Sequence, residues 1–244
     1  MQEIAPGVAL VSTLIANAYL VGDHGQWVLV DACTPGHEDL LQRAVARRFG
    51  RGSRPAAILL THGHFDHAGS AAKLADLWGV RIYAHSREIP FLTGQSHYPP
   101  FRFDSPGFFT RIARFFPTET VDLGARVIAL EPQQPAPGLP NWQTIETPGH
   151  TPGHVAFFRR SDRVLLAGDA VTTMNLDSFA ATIARRKQVC RPPVPATSDW
   201  ESARKSVELL AGLQASVIAA GHGRPMSGAA DQLIWLAKHF RVPA

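Results

Sequence analysis

Apolar positions near the N-terminus come in short runs separated by turn formers, the pattern of strands rather than helices. Val8 to Ser12, Ala18 to Gly22 and Trp27 to Asp31 predict three strands, divided by Asn17 and by Asp23-His24-Gly25. The period then changes. Leu40, Leu41, Ala44, Val45 and Phe49 fall on one stripe while Arg43, Arg47 and Arg48 lie away from it, which predicts a helix over 37–49. A buried strand at 56–60, a helix over 66–79 ending at Gly79 and a strand at 80–84 follow. Farther on, strands are predicted at 126–130, 142–147, 155–159 and 163–167, with a Pro-rich loop at 132–140. A basic, Pro-rich stretch (185–196), a helix (199–212), an apolar run at 217–220 and a helix at 229–240 complete the chain. Alternating strands and helices point to the α/β class, and the length suits one domain over 1–244.

One segment departs from this rhythm. Residues 90–118 hold seven of the 13 Phe and five Pro, and read as an insertion on the scaffold. Phe108, Phe109, Ile112, Phe115 and Phe116 follow helical spacing over 107–116, with Thr110, Arg111 and Arg114 facing away. Such a helix can pack on its own domain, wall a pocket, contact a second copy in a homodimer or lie on a membrane surface.

Composition narrows the picture only a little. Apolar residues make up 45% and charged residues 18%, ordinary for a globular protein. No apolar run is long enough to span a membrane, and Met1 to Pro6 lacks the features of a signal peptide. Cys33 and Cys190 stand far apart in no metal or redox spacing, which fits a reducing cytoplasm. The net charge of +4 is mild, and no long basic run argues for nucleic acid; a small-molecule substrate is the expectation.

The chemistry concentrates at Thr61-His62-Gly63-His64-Phe65-Asp66-His67. Positions i and i+2 at a strand end point to one side, so His62 and His64 can converge. A helix starting at Phe65 brings Asp66 and His67 to a second point close by. Imidazole and carboxylate together suit zinc, manganese or iron. The device recurs: His150 follows Thr147-Pro148-Gly149, Asp169 follows Ala167-Gly168, and His222 follows Ala220-Gly221, each after an apolar strand. Sheets of α/β proteins build sites at the carboxyl ends of strands, and glycine lets backbone pass close to a bound centre. Asp31, at the end of its strand, is either a cap or a partner orienting a metal-bound histidine. His85 and His154 read as supporting residues rather than ligands.

These motifs, His62-x-His64-x-Asp66-His67 with His150, Asp169 and His222, resemble the metallo-β-lactamase superfamily over nearly the whole chain. The resemblance implies a four-layer αβ/βα sandwich of two mixed β-sheets flanked by helices. It implies two divalent ions, zinc first and iron or manganese as alternatives: His62, His64 and His150 on one, Asp66, His67 and His222 on the other, and Asp169 bridging. The implied activity is metal-dependent hydrolysis by a bridging hydroxide, with Asp66 as proton carrier, acting on an ester, lactone or thioester. A phosphodiesterase or nuclease, and an iron-dependent persulfide dioxygenase, are alternatives on the same fold. The aspartate at 169 disfavours a true β-lactamase, and Thr172 stands where many homoserine lactonases of the fold carry tyrosine.

Overall fold

Turn formers and apolar runs set the strands, and pairing then sorts them into two compact units. The computed structural model describes residues 1–103, 107–113, 121–132, 134–184 and 186–242. One unit comprises Met1–His97 with Glu119–Thr144, the other Tyr98–Thr118 with Ile145–Ala244. The insertion expected at about 90–118 is thus shared between them.

The first unit begins with β1 (Gln2–Ala5), β2 (Val8–Ser12), β3 (Asn17–Gly22) and β4 (Trp27–Val30), an antiparallel run. After α1 (Glu38–Phe49) come β5 (Ile58–Leu59), α2 (Phe65–Ala68), α3 (Ala71–Trp78), β6 (Ile82–His85) and α4 (Ile89–Leu92). Then follow β7 (Val127–Leu130), β8 (Pro135–Ala136) and β9 (Leu139–Glu146). Strands β1 to β7 form one sheet in sequence order, parallel from β4 onward. The sheet is therefore mixed. Crossover helices cover it: Leu41, Val45 and Phe49 of α1 and Leu74, Ala75 and Trp78 of α3 share a core with Leu20, Leu29 and Ile58. Trp27 stacks on Phe49 at 4.5 Å between ring centroids.

In the second unit, α5 (Phe108–Ala113) precedes β10 (Val155–Arg159), β11 (Val164–Gly168), β12 (Thr172–Met174) and α6 (Phe179–Ile183). β13 (Lys187–Cys190), α7 (Trp200–Gly212), β14 (Val217–Ala220), β15 (Met226–Ser227) and α8 (Ala230–Lys238) follow. The strands stand in the order β15-β14-β11-β10, with β11 and β14 parallel and their neighbours antiparallel. Val207, Leu210 and Ala211 of α7 and Leu233 of α8 pack with Ala156, Leu165, Ala167 and Ile218. No helix among the described residues is long and apolar enough to cross a membrane.

Several sequence expectations need correction. The single helix over 66–79 is two helices, because the Gly69 N–H donates to the Cys33 carbonyl (2.9 Å) instead of continuing the ladder. Only glycine fits there: a Cβ would collide with Pro35 and the Phe65 carbonyl. The strand at 56–60 shrinks to the two residues of β5. The Pro-rich loop expected at 132–140 contains β8, which pairs with β9, and the basic stretch at 185–196 contains β13, which pairs with β12. Within α5, Thr110 is buried rather than outward-facing, alongside Ala113, while Phe108 and Phe109 are half-buried. The N–H groups of Phe108 and Phe109 donate to the Asp177 and Leu176 carbonyls (3.0 and 3.2 Å), and that anchorage sets which face turns inward. Arg114, Phe115 and Phe116, and the Ile112 side chain, lie outside the described residues.

Candidate functional site

The sequence-predicted ligands divide between the units, four in the first and three in the second, and in each unit they cluster. In the first, β5 ends against the 31–37 loop, so the backbone leaves the sheet with His62 fully buried. His62 Nε2 lies 3.1 Å from His64 Nδ1, and the His62 and His67 ring centroids are 4.2 Å apart. Asp66 sits in the first turn of α2, and its Oδ2 is 3.7 Å from His67 Nε2.

Asp31 both meets a histidine and caps a backbone N–H. Its Oδ2 is 2.8 Å from His67 Nδ1, and the Thr61 N–H and hydroxyl donate to the same carboxylate at 2.8 and 2.9 Å. A carboxylate on Nδ1 keeps that nitrogen protonated and leaves Nε2 with a free lone pair, the form in which an imidazole can bind a cation. Asp31 sits at φ 58°, a left-handed conformation unusual for a non-glycine residue; the three contacts hold it there. Sequence reading missed Glu88. This fully buried carboxylate accepts the Gly63 N–H at 2.9 Å, fixing the backbone between His62 and His64. Nothing in its sequence surroundings distinguishes it, since its partner lies 25 residues earlier. His85 is buried, and its Nδ1 accepts the Arg87 N–H, a capping role that matches its supporting reading.

In the second unit the three predicted ligands come together at one oxygen. Asp169 Oδ2 is 3.5 Å from His150 Nε2 and 3.0 Å from His222 Nε2. His154 supports the arrangement, as expected: its Nε2 accepts the Asp169 backbone N–H at 2.9 Å, and its Nδ1 meets the Thr147 hydroxyl at 2.8 Å. His150 Nδ1 lies 3.3 Å from the Thr197 hydroxyl, which itself donates to the Pro193 carbonyl. The His222 carbonyl accepts from the Thr173 N–H and hydroxyl, both at 3.0 Å. Phe109 faces His222 with ring centroids 6.5 Å apart. Thr172 does not offer its hydroxyl to a ligand: the group is buried and donates to the Met174 carbonyl at 2.9 Å.

The donor sets fit metal ions. Ligands on a tetrahedral zinc, at bonds of about 2.0–2.1 Å, stand roughly 3.3 Å apart. The four separations found, 3.0, 3.1, 3.5 and 3.7 Å, bracket that value. Cysteine chemistry is disfavoured at the same time. Burial, and then the Asp31 and Asp66 charges, push the Cys33 thiol up to about 12, and burial with Asp177 raises Cys190 to about 11. Neither is a thiolate at neutral pH.

Comparison with known proteins gives the family. The chain is 40% identical over 230 residues to YflN of Bacillus subtilis (strain 168), named as a probable metallo-hydrolase, covering 93% of this chain and 87% of that one. It is 32% identical over 114 residues to hydroxyacylglutathione hydrolase GloC of Haemophilus influenzae, covering 47% of this chain and 49% of that one. The crystal structure of TTHA1623 in a di-iron-bound form superposes with TM-score 0.62 at 26% identity, covering 95% of this chain and 96% of that one. The family model described as the metallo-beta-lactamase superfamily matches residues 11–222, a span that runs from β2 to His222 and takes in all seven predicted ligands. On the fold, the donor residues and that match, the chain belongs to the metallo-β-lactamase superfamily.

Proposed function

We propose that the two ligand clusters act together as a dinuclear centre that hydrolyses a carboxylic ester, lactone or thioester with an apolar acyl or alkyl side. In this reading His62, His64 and His150 hold one ion, Asp66, His67 and His222 a second, and Asp169 bridges. The observation that carries it is the Asp169 carboxylate oxygen within reach of two imidazoles from different loops, its backbone N–H tied to His154. Zinc is the first expectation; the di-iron form of TTHA1623 makes iron the alternative to test.

When bound, the ions supply Lewis acidity and lower the pKa of water toward about 7. The protein does the rest. Asp31 fixes the tautomer and tilt of His67, and Glu88 holds the Gly63 peptide, so His62 and His64 keep their aim. Asp66, whose carboxylate borders His67, takes the proton of the attacking water and delivers it to the leaving group. Burial of every ligand excludes bulk solvent and strengthens these interactions.

Phe109 beside His222 supports an acyl rather than phosphoryl substrate, because apolar burial is worth about 25 cal/mol per Å² whereas an unpaired buried charge is penalised. The relative named for hydrolysis of a hydroxyacylglutathione, an acyl substrate, supports the same choice. The test is metal content by mass spectrometry, oxygen uptake, and kcat/KM on matched acyl and phosphodiester substrates. Acyl hydrolysis without oxygen uptake is expected, with weak or no turnover of β-lactams. A phosphodiester preference above about tenfold, or 1.4 kcal/mol, overturns the choice.

In this reading Phe109 walls the substrate pocket, which gives a second expected result. Phe109→Ser should raise KM for bulky acyl substrates about fivefold to tenfold relative to acetyl ones, as lost contacts scale with substrate apolar area. Phe108→Ser should do less, since the Phe108 ring meets Phe179 instead. Equal effects on large and small substrates would assign Phe109 to packing alone.

A further inference from the structure

An exposed apolar face with a cationic border lies beside α5 and α6. Phe179 is 59% and Ile183 68% exposed, and their i,i+4 spacing places them together on one side of α6. Phe108 of α5 continues the face: its ring meets Phe179 edge-on at 4.9 Å. The face is held firmly, because the Phe108 N–H donates to the Asp177 carbonyl (3.0 Å) and Ser178 caps α6 through the Ala181 N–H (3.2 Å).

Cations border it. Arg111 follows Phe108 by three positions on α5, and Arg186 and Lys187 stand three and four positions past the last residue of α6. The Arg186 N–H donates to the Ala181 carbonyl at 3.0 Å, which keeps the chain against the helix end. All three are exposed, and no carboxylate pairs with them among the described residues. Asp177, the nearest acid in sequence to α6, is taken by Arg191 at 3.3 Å.

We propose that this face docks on an anionic lipid bilayer, with Phe179 and Ile183 entering the headgroup boundary and Arg111, Arg186 and Lys187 on the acidic headgroups. Apolar side chains bordered by cations are the composition that binds such a surface. A second copy fits less well. A two-fold contact would set the cationic borders against each other, and three side chains offer far less than the roughly 800 Å² per partner of a stable interface. Single-stranded nucleic acid fits less well too, since an exposed isoleucine has no ring on which a base can stack.

The experiment is co-sedimentation of the full chain with vesicles of phosphatidylcholine alone and with vesicles containing phosphatidylserine. Each cation near an acidic surface adds about fivefold to partitioning, so at least a tenfold preference for the phosphatidylserine vesicles is expected, falling with added salt. The double substitution Phe179→Ser/Ile183→Ser should lower binding by tenfold or more, and Arg186→Glu/Lys187→Glu should abolish it. Both pairs are exposed, so the fold should be kept, and circular dichroism checks that. Failure to sediment with either vesicle, or unchanged binding by both double variants, overturns the proposal. So does a dimer in sedimentation velocity that Phe179→Ser/Ile183→Ser dissociates, which would give the face to a second copy. None of these readouts depends on metal content or turnover.

Discussion

Asp169→Ala will reduce bound metal to one ion per chain or none and lower kcat/KM by a thousandfold or more, about 4 kcal/mol of transition-state stabilisation. The expectation rests on the one carboxylate oxygen shared by His150 and His222. The fold should survive, because the contact that ties this position to His154 uses the backbone N–H, which alanine keeps. What disappears is the stabilisation that metal binding adds, so added metal should raise the Tm of the wild type and not of the variant. Metal content by mass spectrometry alongside thermal melts reads both quantities. Two ions retained per chain at wild-type affinity would remove Asp169 from the centre.

Gly149→Ala is expected to be the most destabilising small substitution near the site. Gly149 adopts φ 132°, a region that residues with a Cβ rarely enter, and it packs against the start of α7. A Cβ there would sit well inside contact distance of the Ala203 backbone and 2.7 Å from its Cβ. The Gly149 carbonyl also accepts the Ser198 and Asp199 N–H groups at 3.1 and 2.9 Å, while Asp199 caps α7 through the Glu201 and Ser202 N–H groups. The turn cannot move without disturbing the cap. Backbone strain and overpacking each cost about 1–3 kcal/mol, so a loss of roughly 3 kcal/mol is expected, or about 6–12 °C in Tm. His150 follows immediately, so metal affinity should fall as well. A variant with an unchanged Tm and metal affinity would show that the loop tolerates a side chain.

Much of the site was legible because its signals are local. Strand periodicity is visible within a few residues, and a ligand placed just past a glycine at a strand end can be read from Gly149-His150, Gly168-Asp169 and Gly221-His222 without knowing what they face. The crossover helices announced themselves likewise, through the stripe that α1 turns into the core.

What depends on residues distant in the chain was not. The strands β8, β12 and β13 are too short for a period and exist because a partner strand pairs with them. Gly69 reads as one more helical residue until the Cys33 carbonyl claims its N–H. Asp31 could be a cap or an orienting group until folding brings His67 to it across 36 positions, and Glu88 gives no sign of its role until Gly63 arrives. The sequence by itself determined the α/β class and the residues able to ligate, because both follow from local pattern and donor chemistry. Tertiary structure alone decided which oxygen Asp169 shares, which nitrogen His67 presents and which phenylalanines meet solvent, because those depend on contacts that only the folded chain makes.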